Sequence, residues 1–197
     1  VPSNNTKAFL GLVRAGLWEK EARLSLFDSI DFDKVYRLAK EQSVIGLVLS
    51  GLEYSDVKPP QELLLQWIGE AQLIEKRNKA MNGFVAELID NLRKKDIYAL
   101  LIKGQGIAQC YEKPLLRACG DIDLLLSSDN YEKAKVLLLP LASAVDKEDI
   151  ERMHLGMTIV PWLVELHGAL PFGLSSRVDK VINDACNDVF YIIKKIK

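Results

Sequence analysis

Between positions 61 and 95 the apolar residues Leu64, Trp67, Ile68, Ala71, Ile74, Met81, Phe84, Val85, Leu88, Ile89 and Leu92 recur at steps of three and four. That spacing draws one apolar stripe along a helix and leaves the charged residues elsewhere. The pattern predicts a single long amphipathic helix, interrupted at most near Asn78 or Gly83. Pro59 and Pro60 suit its start, where a missing N–H costs nothing.

The segments before it read the same way. Asn4 or Asn5 caps a helix carrying Phe9, Leu10, Val13 and Leu17 on one face. A second helix begins near Asp31 or Asp33 and carries Val35, Leu38 and Ala39, and a short apolar helix spans 44–52. After the long helix the character changes. Residues 98–102 form a compact apolar run closed by Lys103-Gly104, as in a buried strand. A short helix over 105–111 stops before Pro114. A strand is expected at 121–126, a helix at 130–139, and a strand pair at 158–160 and 162–167 broken at Pro161. A last amphipathic helix, 175–190, turns Val178, Val181, Ile182, Ala185 and Val189 inward. The expected class is α+β: a helical lobe over 1–95, then a small lobe of strands and helices over 96–197, with the seam near Asp96.

Composition narrows the function. Lys plus Arg number 26 against 27 Asp plus Glu, and a long basic stripe for duplex DNA would unbalance that count. Nucleic acid is therefore not favoured as a partner. Cys110, Cys119 and Cys186 are odd in number and form no CxxC pair, which argues against a disulfide framework and a zinc–cysteine site. Free thiols fit a cytoplasmic setting. No apolar run approaches the roughly 20 residues that span a bilayer, so no membrane role is expected. The polar start, Val1 to Asn5, has no signal-peptide pattern. The missing initiator Met and the abrupt end IIKKIK read as a piece of a longer chain, truncated at its C-terminus.

Three short stretches carry chemistry. In Gly120-Asp121-Ile122-Asp123, strand alternation projects both acids from one face. Such a pair repels itself and is costly to bury; Mg²⁺, which takes carboxylate oxygens together with phosphate, resolves both problems. A solvent-exposed strand end would carry the same residues. A second such pair, Asp31-Phe32-Asp33, reads instead as a helix cap. In Trp162-Leu-Val-Glu165-Leu-His167, Glu165 interrupts an apolar strand and His167 shares its face. If the two strands are neighbours, Glu165 completes a carboxylate trio of the kind that two-metal phosphoryl-transfer sites use. The alternative is a cross-strand ion pair of Glu165 with a Lys or Arg. His167 by itself suits a hydrogen-bonded structural role, and His154, in a polar stretch, reads as surface.

The third stretch is Lys103-Gly104-Gln105-Gly106 between a strand and a helix start. Such a turn presents free N–H groups to phosphate, and Lys103 adds a point charge. Arg117, four residues before Asp121, is either a further phosphate ligand or an ordinary loop arginine. Gly104-Gln105-Gly106 also resembles a dinucleotide fingerprint, yet Gln109 stands where a small residue belongs and Pro114 cuts the helix short. No Gly-Lys-Ser/Thr follows, which excludes a Walker A loop.

Taken in order, Ile102-Lys103-Gly104, Ala108, Tyr111, Pro114, Arg117-Ala-Cys-Gly120-Asp121-Ile-Asp123-Leu-Leu and Val164-Glu165-Leu-His167 resemble the uncharacterised nucleotidyltransferase family of the DNA polymerase β-like superfamily. The resemblance covers about 97–170, and the helical half shares only its character. It implies a small mixed sheet flanked by helices, with Mg²⁺ and a nucleoside triphosphate as ligands. It implies Asp121, Asp123 and Glu165 as metal-binding and catalytic positions. Lys103, Gly104, Gln105, Arg117 and Gly120 are the implied nucleotide-binding set, with Lys103-Gly104-Gln105 where the wider superfamily has Gly-Ser. The expected activity is Mg²⁺-dependent transfer of a nucleoside monophosphate to a hydroxyl acceptor, a small molecule or a protein. A catalytically silent nucleotide-binding module and a dinucleotide-binding protein are the alternatives.

Overall fold

A computed structural model describes residues 2–168 and 175–195, except for the side chain at 194. The last positions of the resembling segment, 169–170, and the chain end, 196–197, lie outside the described residues. The fold is mixed α+β, as expected. It divides into two compact units, one of residues 1–80 and 107–119, the other of 81–106 and 120–197.

The first unit holds α1 (Asn4–Trp18), α2 (Phe32–Glu41), α3 (Ile45–Glu53) and the beginning of α4 (Gln61–Arg93). Ser3, rather than Asn4 or Asn5, caps α1 by accepting the Thr6 N–H. The two asparagines are engaged elsewhere: Asn4 donates to the Asp28 carbonyl, and the Asn5 side-chain oxygen accepts the Asp31 N–H. Asp31 caps α2 through the Lys34 N–H, which settles Asp31-Phe32-Asp33 as a cap. Phe9, Leu12, Ala15, Val35, Val48, Leu52 and Trp67 are buried in one core.

Helix α1 approaches α3 through two glycines. A Cβ at Gly51 would overlap the Leu12 carbonyl, and one at Gly16 would overlap the Leu47 carbonyl. Backbone cannot yield there as a flexible side chain would. Gly51→Ala is expected to destabilise the protein by about 2–3 kcal/mol, read as a lower urea midpoint; an unchanged midpoint would mean the two helices can separate freely.

Helix α4 runs 33 residues, about 50 Å, as one element through both Asn78 and Gly83, the single long helix that the spacing predicts. Asn78 is buried, and its amide donates to the carbonyls of Leu115 and Arg117 at 2.7 Å each. That is why a polar residue interrupts the apolar stripe.

The second unit is built on β1 (Ala99–Ile102), β2 (Asp121–Leu126), β3 (Ala144–Val145), β4 (His154–Ile159) and β5 (Trp162–His167), in the order β1-β2-β5-β4-β3. Strands β2 and β5 run parallel; β1/β2, β4/β5 and β3/β4 are antiparallel. Its helices are the end of α4, the first residues of α5 (Lys103–Ala108), α6 (Ser128–Leu138) and α7 (Ser176–Lys195). Helix α6 buries Tyr131, Ala134 and Leu138 and packs on β2 and β5. A six-residue α5 and an antiparallel β1/β2 pair are not the parallel strand–helix–strand unit that a dinucleotide fingerprint requires. Strand β4 begins at His154, four residues before the expected Thr158, and ends before a turn at Val160-Pro161. Among the described residues no helix is long and apolar enough to cross a membrane.

Candidate functional site

Alternation along β2 turns Asp121 and Asp123 to one face and the buried Ile122, Leu124 and Leu126 to the other. On β5, Glu165 and His167 share a face while Val164 and Leu166 are fully buried. Paired residues on adjacent strands point the same way, and the parallel register sets Asp123 beside Glu165. The β4/β5 register adds His154 opposite His167, and the β1/β2 register sets Ile102 opposite Asp123.

Lys103 follows Ile102 with φ 49°, a left-handed backbone that costs a residue with a Cβ about 1–2 kcal/mol. Strain of that kind is found where a side chain is being aimed. Here the Lys103 ammonium donates to Asp123 Oδ1 at 2.6 Å. Gly106 makes the turn feasible, because a Cβ there would stand 2.6 Å from the Leu101 carbonyl oxygen.

Asp123 is the centre of the arrangement. Its side chain is 1% exposed, and Oδ1 also accepts from His167 Nε2 at 2.9 Å. Burial alone would push this carboxyl up. The hydrogen bonds from His167 and Lys103, with the charge of Lys103, outweigh that and hold it below the ordinary aspartate range. The same bond to Asp123 holds the Lys103 ammonium above its ordinary value, against the opposing effect of burial. Glu165 Oε2 lies 3.3 Å from His154 Nε2 and 3.5 Å from His167 Nε2. Its neighbours are therefore histidines, in place of the Lys or Arg that an ordinary cross-strand pair would supply.

Oxygens of Asp121, Asp123 and Glu165 lie within 4.8 Å of one another. Asp123 Oδ2 is buried and has no hydrogen-bond partner, an expensive condition for a carboxylate oxygen unless something binds it. An all-oxygen, anionic donor set with an orphaned oxygen fits a hard divalent ion such as Mg²⁺.

The remaining sequence candidates are placed differently. Gly104 and Gln105 follow Lys103 in α5, where Gln105 is buried. Gly120 stands exposed just before β2. Arg117 belongs to the first unit, where its guanidinium donates to the Ala118 carbonyl and Cys119 Sγ. It also lines a cavity of about 470 Å³ with Trp18, Tyr54 and Tyr111. His154, expected at the surface, is half-buried on β4 against Glu165. The signal that would have found it is the alternation of Leu155, Met157 and Ile159 with His154, Gly156 and Thr158.

Comparison with known proteins places the chain in a family. A family described as uncharacterised nucleotidyltransferase matches residues 28–187 of the 197, taking in helices of the first unit as well as the sheet. No curated protein and no solved structure matches the chain. A match over most of the length is decisive: this chain belongs to the uncharacterised nucleotidyltransferase family.

Proposed function

We propose that the protein transfers a nucleoside monophosphate from a nucleoside triphosphate to a hydroxyl on a small-molecule or protein acceptor. The observation that carries this reading is the β2/β5 register, which brings three carboxylates from two strands to one point. Asp121, Asp123 and Glu165 would hold Mg²⁺, which supplies charge neutralisation at the α-phosphate and acidifies the attacking hydroxyl.

The chain's own groups do the rest. Lys103 spends one N–H on Asp123, and its side chain is 57% exposed, so two donors remain for the β and γ phosphates. The backbone of Lys103-Gly104-Gln105 lies beside it, and Gly104 is non-helical there (φ 12°, ψ −112°). His167 fixes the orientation of Asp123 by donating to the same oxygen as Lys103. Glu165 completes the donor set or takes the hydroxyl proton. The hydroxyl oxygen attacks phosphorus in line, the bond to the β-phosphate oxygen breaks, and pyrophosphate leaves; positioning and charge compensation supply most of the acceleration. The free thiols Cys110, Cys119 and Cys186 support a cytoplasmic setting.

The test is incubation with each common α-labelled nucleoside triphosphate, Mg²⁺ and cell extract, followed by mass spectrometry of the products. Label on an acceptor with release of pyrophosphate is expected. Binding without transfer would favour the silent module, and no binding of any of the four triphosphates would end the reading.

A further inference from the structure

We propose that His154, Glu165 and His167 form a second ion position beside the carboxylate trio, one that takes a transition ion of the Zn²⁺ type, with Glu165 common to both. The proposal needs no nucleotide, but it shares Glu165 with the carboxylate trio and uses the same His167 nitrogen that meets Asp123.

The fold assembles these donors. The antiparallel β4/β5 register sets His154 opposite His167, and alternation keeps Glu165 on their face. Their ligand atoms all lie within 4.8 Å of one another. Both Nε2 atoms converge on the same oxygen, at 3.3 and 3.5 Å. Charge-assisted hydrogen bonds are shorter, about 2.8 Å, and His167 does reach 2.9 Å where it meets Asp123. A tetrahedral ion with bonds of about 2.1 Å holds its donors about 3.4 Å apart. The 3.3 Å contact from His154 is within hydrogen-bonding range, and both Glu165 distances also match the spacing of a coordination edge. The two imidazole rings stand 4.8 Å apart and tilted by 36°, so they do not stack flat.

Donor chemistry separates this position from its neighbour. Two imidazole nitrogens and one carboxylate suit Zn²⁺, Co²⁺ or Mn²⁺, whereas Mg²⁺ prefers oxygen alone. Three protein ligands leave a fourth direction open, as in catalytic zinc sites. His154, with 38% of its side chain exposed, faces solvent and gives an ion its way in. Binding at His167 Nε2 moves that ring's proton to Nδ1, since a nitrogen cannot carry a proton and a metal together, so an ion there replaces the hydrogen bond from His167 to Asp123 and leaves Lys103 as that oxygen's donor.

Co²⁺, a visible stand-in for Zn²⁺, tests the proposal on the full chain without nucleotide. We expect an absorption band that saturates at one ion per chain, is abolished by Zn²⁺ and survives a large excess of Mg²⁺. His154→Ala should weaken Co²⁺ binding at least a hundredfold. His154→Cys should retain it and add a thiolate charge-transfer band, which a merely structural histidine would not produce. Asp121→Asn should leave the band in place. If His154→Ala binds Co²⁺ with unchanged affinity and spectrum, or if Mg²⁺ displaces Co²⁺ at comparable concentration, the ion sits in the carboxylate trio and the proposal fails.

Discussion

Asp123→Asn is expected to lower nucleotide transfer by about a hundred- to a thousandfold and to cost about 1–2 kcal/mol of stability. The first effect follows from losing an anionic ligand at the centre of the donor set. The second follows from the surroundings of Asp123. An amide oxygen accepts the Lys103 and His167 hydrogen bonds more weakly than a carboxylate does, and the new NH₂ would lie where Oδ2 is buried without a partner. From sequence alone, two close acids suggest relief of repulsion on neutralisation. The ion pair reverses that sign, because Asp123 is already compensated. Asp121 is half-buried and outside that pair, so Asp121→Asn should reduce transfer while leaving stability within about 0.5 kcal/mol. Labelled-triphosphate turnover and urea melts on both variants give the comparison. Acid provides a further reading. A carboxyl held below its ordinary value contributes stability above that value and loses it as pH falls through the lowered one. Wild type should therefore lose more stability than Asp123→Asn below about pH 4. Parallel acid profiles would show that the Lys103 and His167 bonds are not felt in solution.

Lys103→Met should reduce affinity for the Mg²⁺–triphosphate complex by about ten- to a hundredfold, the worth of one or two charge-assisted hydrogen bonds. Titration calorimetry measures it, and unchanged affinity would remove Lys103 from the phosphate site. Stability should fall as well, by roughly 2 kcal/mol. The Asp123 charge stays buried in this variant with only His167 facing it. The loss stays below that of a fully buried pair, because the lysine end is largely solvated. Combining Lys103→Met with Asp123→Asn should recover part of that loss, since the double variant buries no unpaired charge. A strictly additive result in the double-mutant cycle would mean the 2.6 Å contact carries no coupling.

Period and punctuation made much of the fold legible. The three- and four-residue steps from Leu64 to Leu92 announce α4, and apolar runs with polar interruptions announce β2 and β5. Asp121 and Asp123 stood out at the head of an apolar strand, and Glu165 because it interrupts one. Pairing was not legible. Nothing local says that β2 lies parallel to β5, or that β1 turns back along β2 and delivers Lys103 to an acid twenty positions away. His154 was missed because the charged run before it masks the alternation after it. The cap of α1 was misplaced by one or two positions because Asn4 and Asn5 have partners far along the chain. In the helical half the sequence carries pattern without motif, and there the family comparison reaches further, back to residue 28.

Inheritance acts unevenly on such a sheet. Removing one residue between Pro161 and Glu165 would turn Glu165 to the opposite face and bring an aliphatic neighbour beside Asp123 in its place. Adding a residue at 150–152, exposed at the tip between β3 and β4, would change only the length of a loop. Homologous chains are thus free to lengthen or shorten at that tip. From 121 to 126 and from 162 to 167 they must keep the same residue count, whatever aliphatic residues they exchange. A frame-preserving deletion of a single codon in β5 should therefore be more damaging than most substitutions in it.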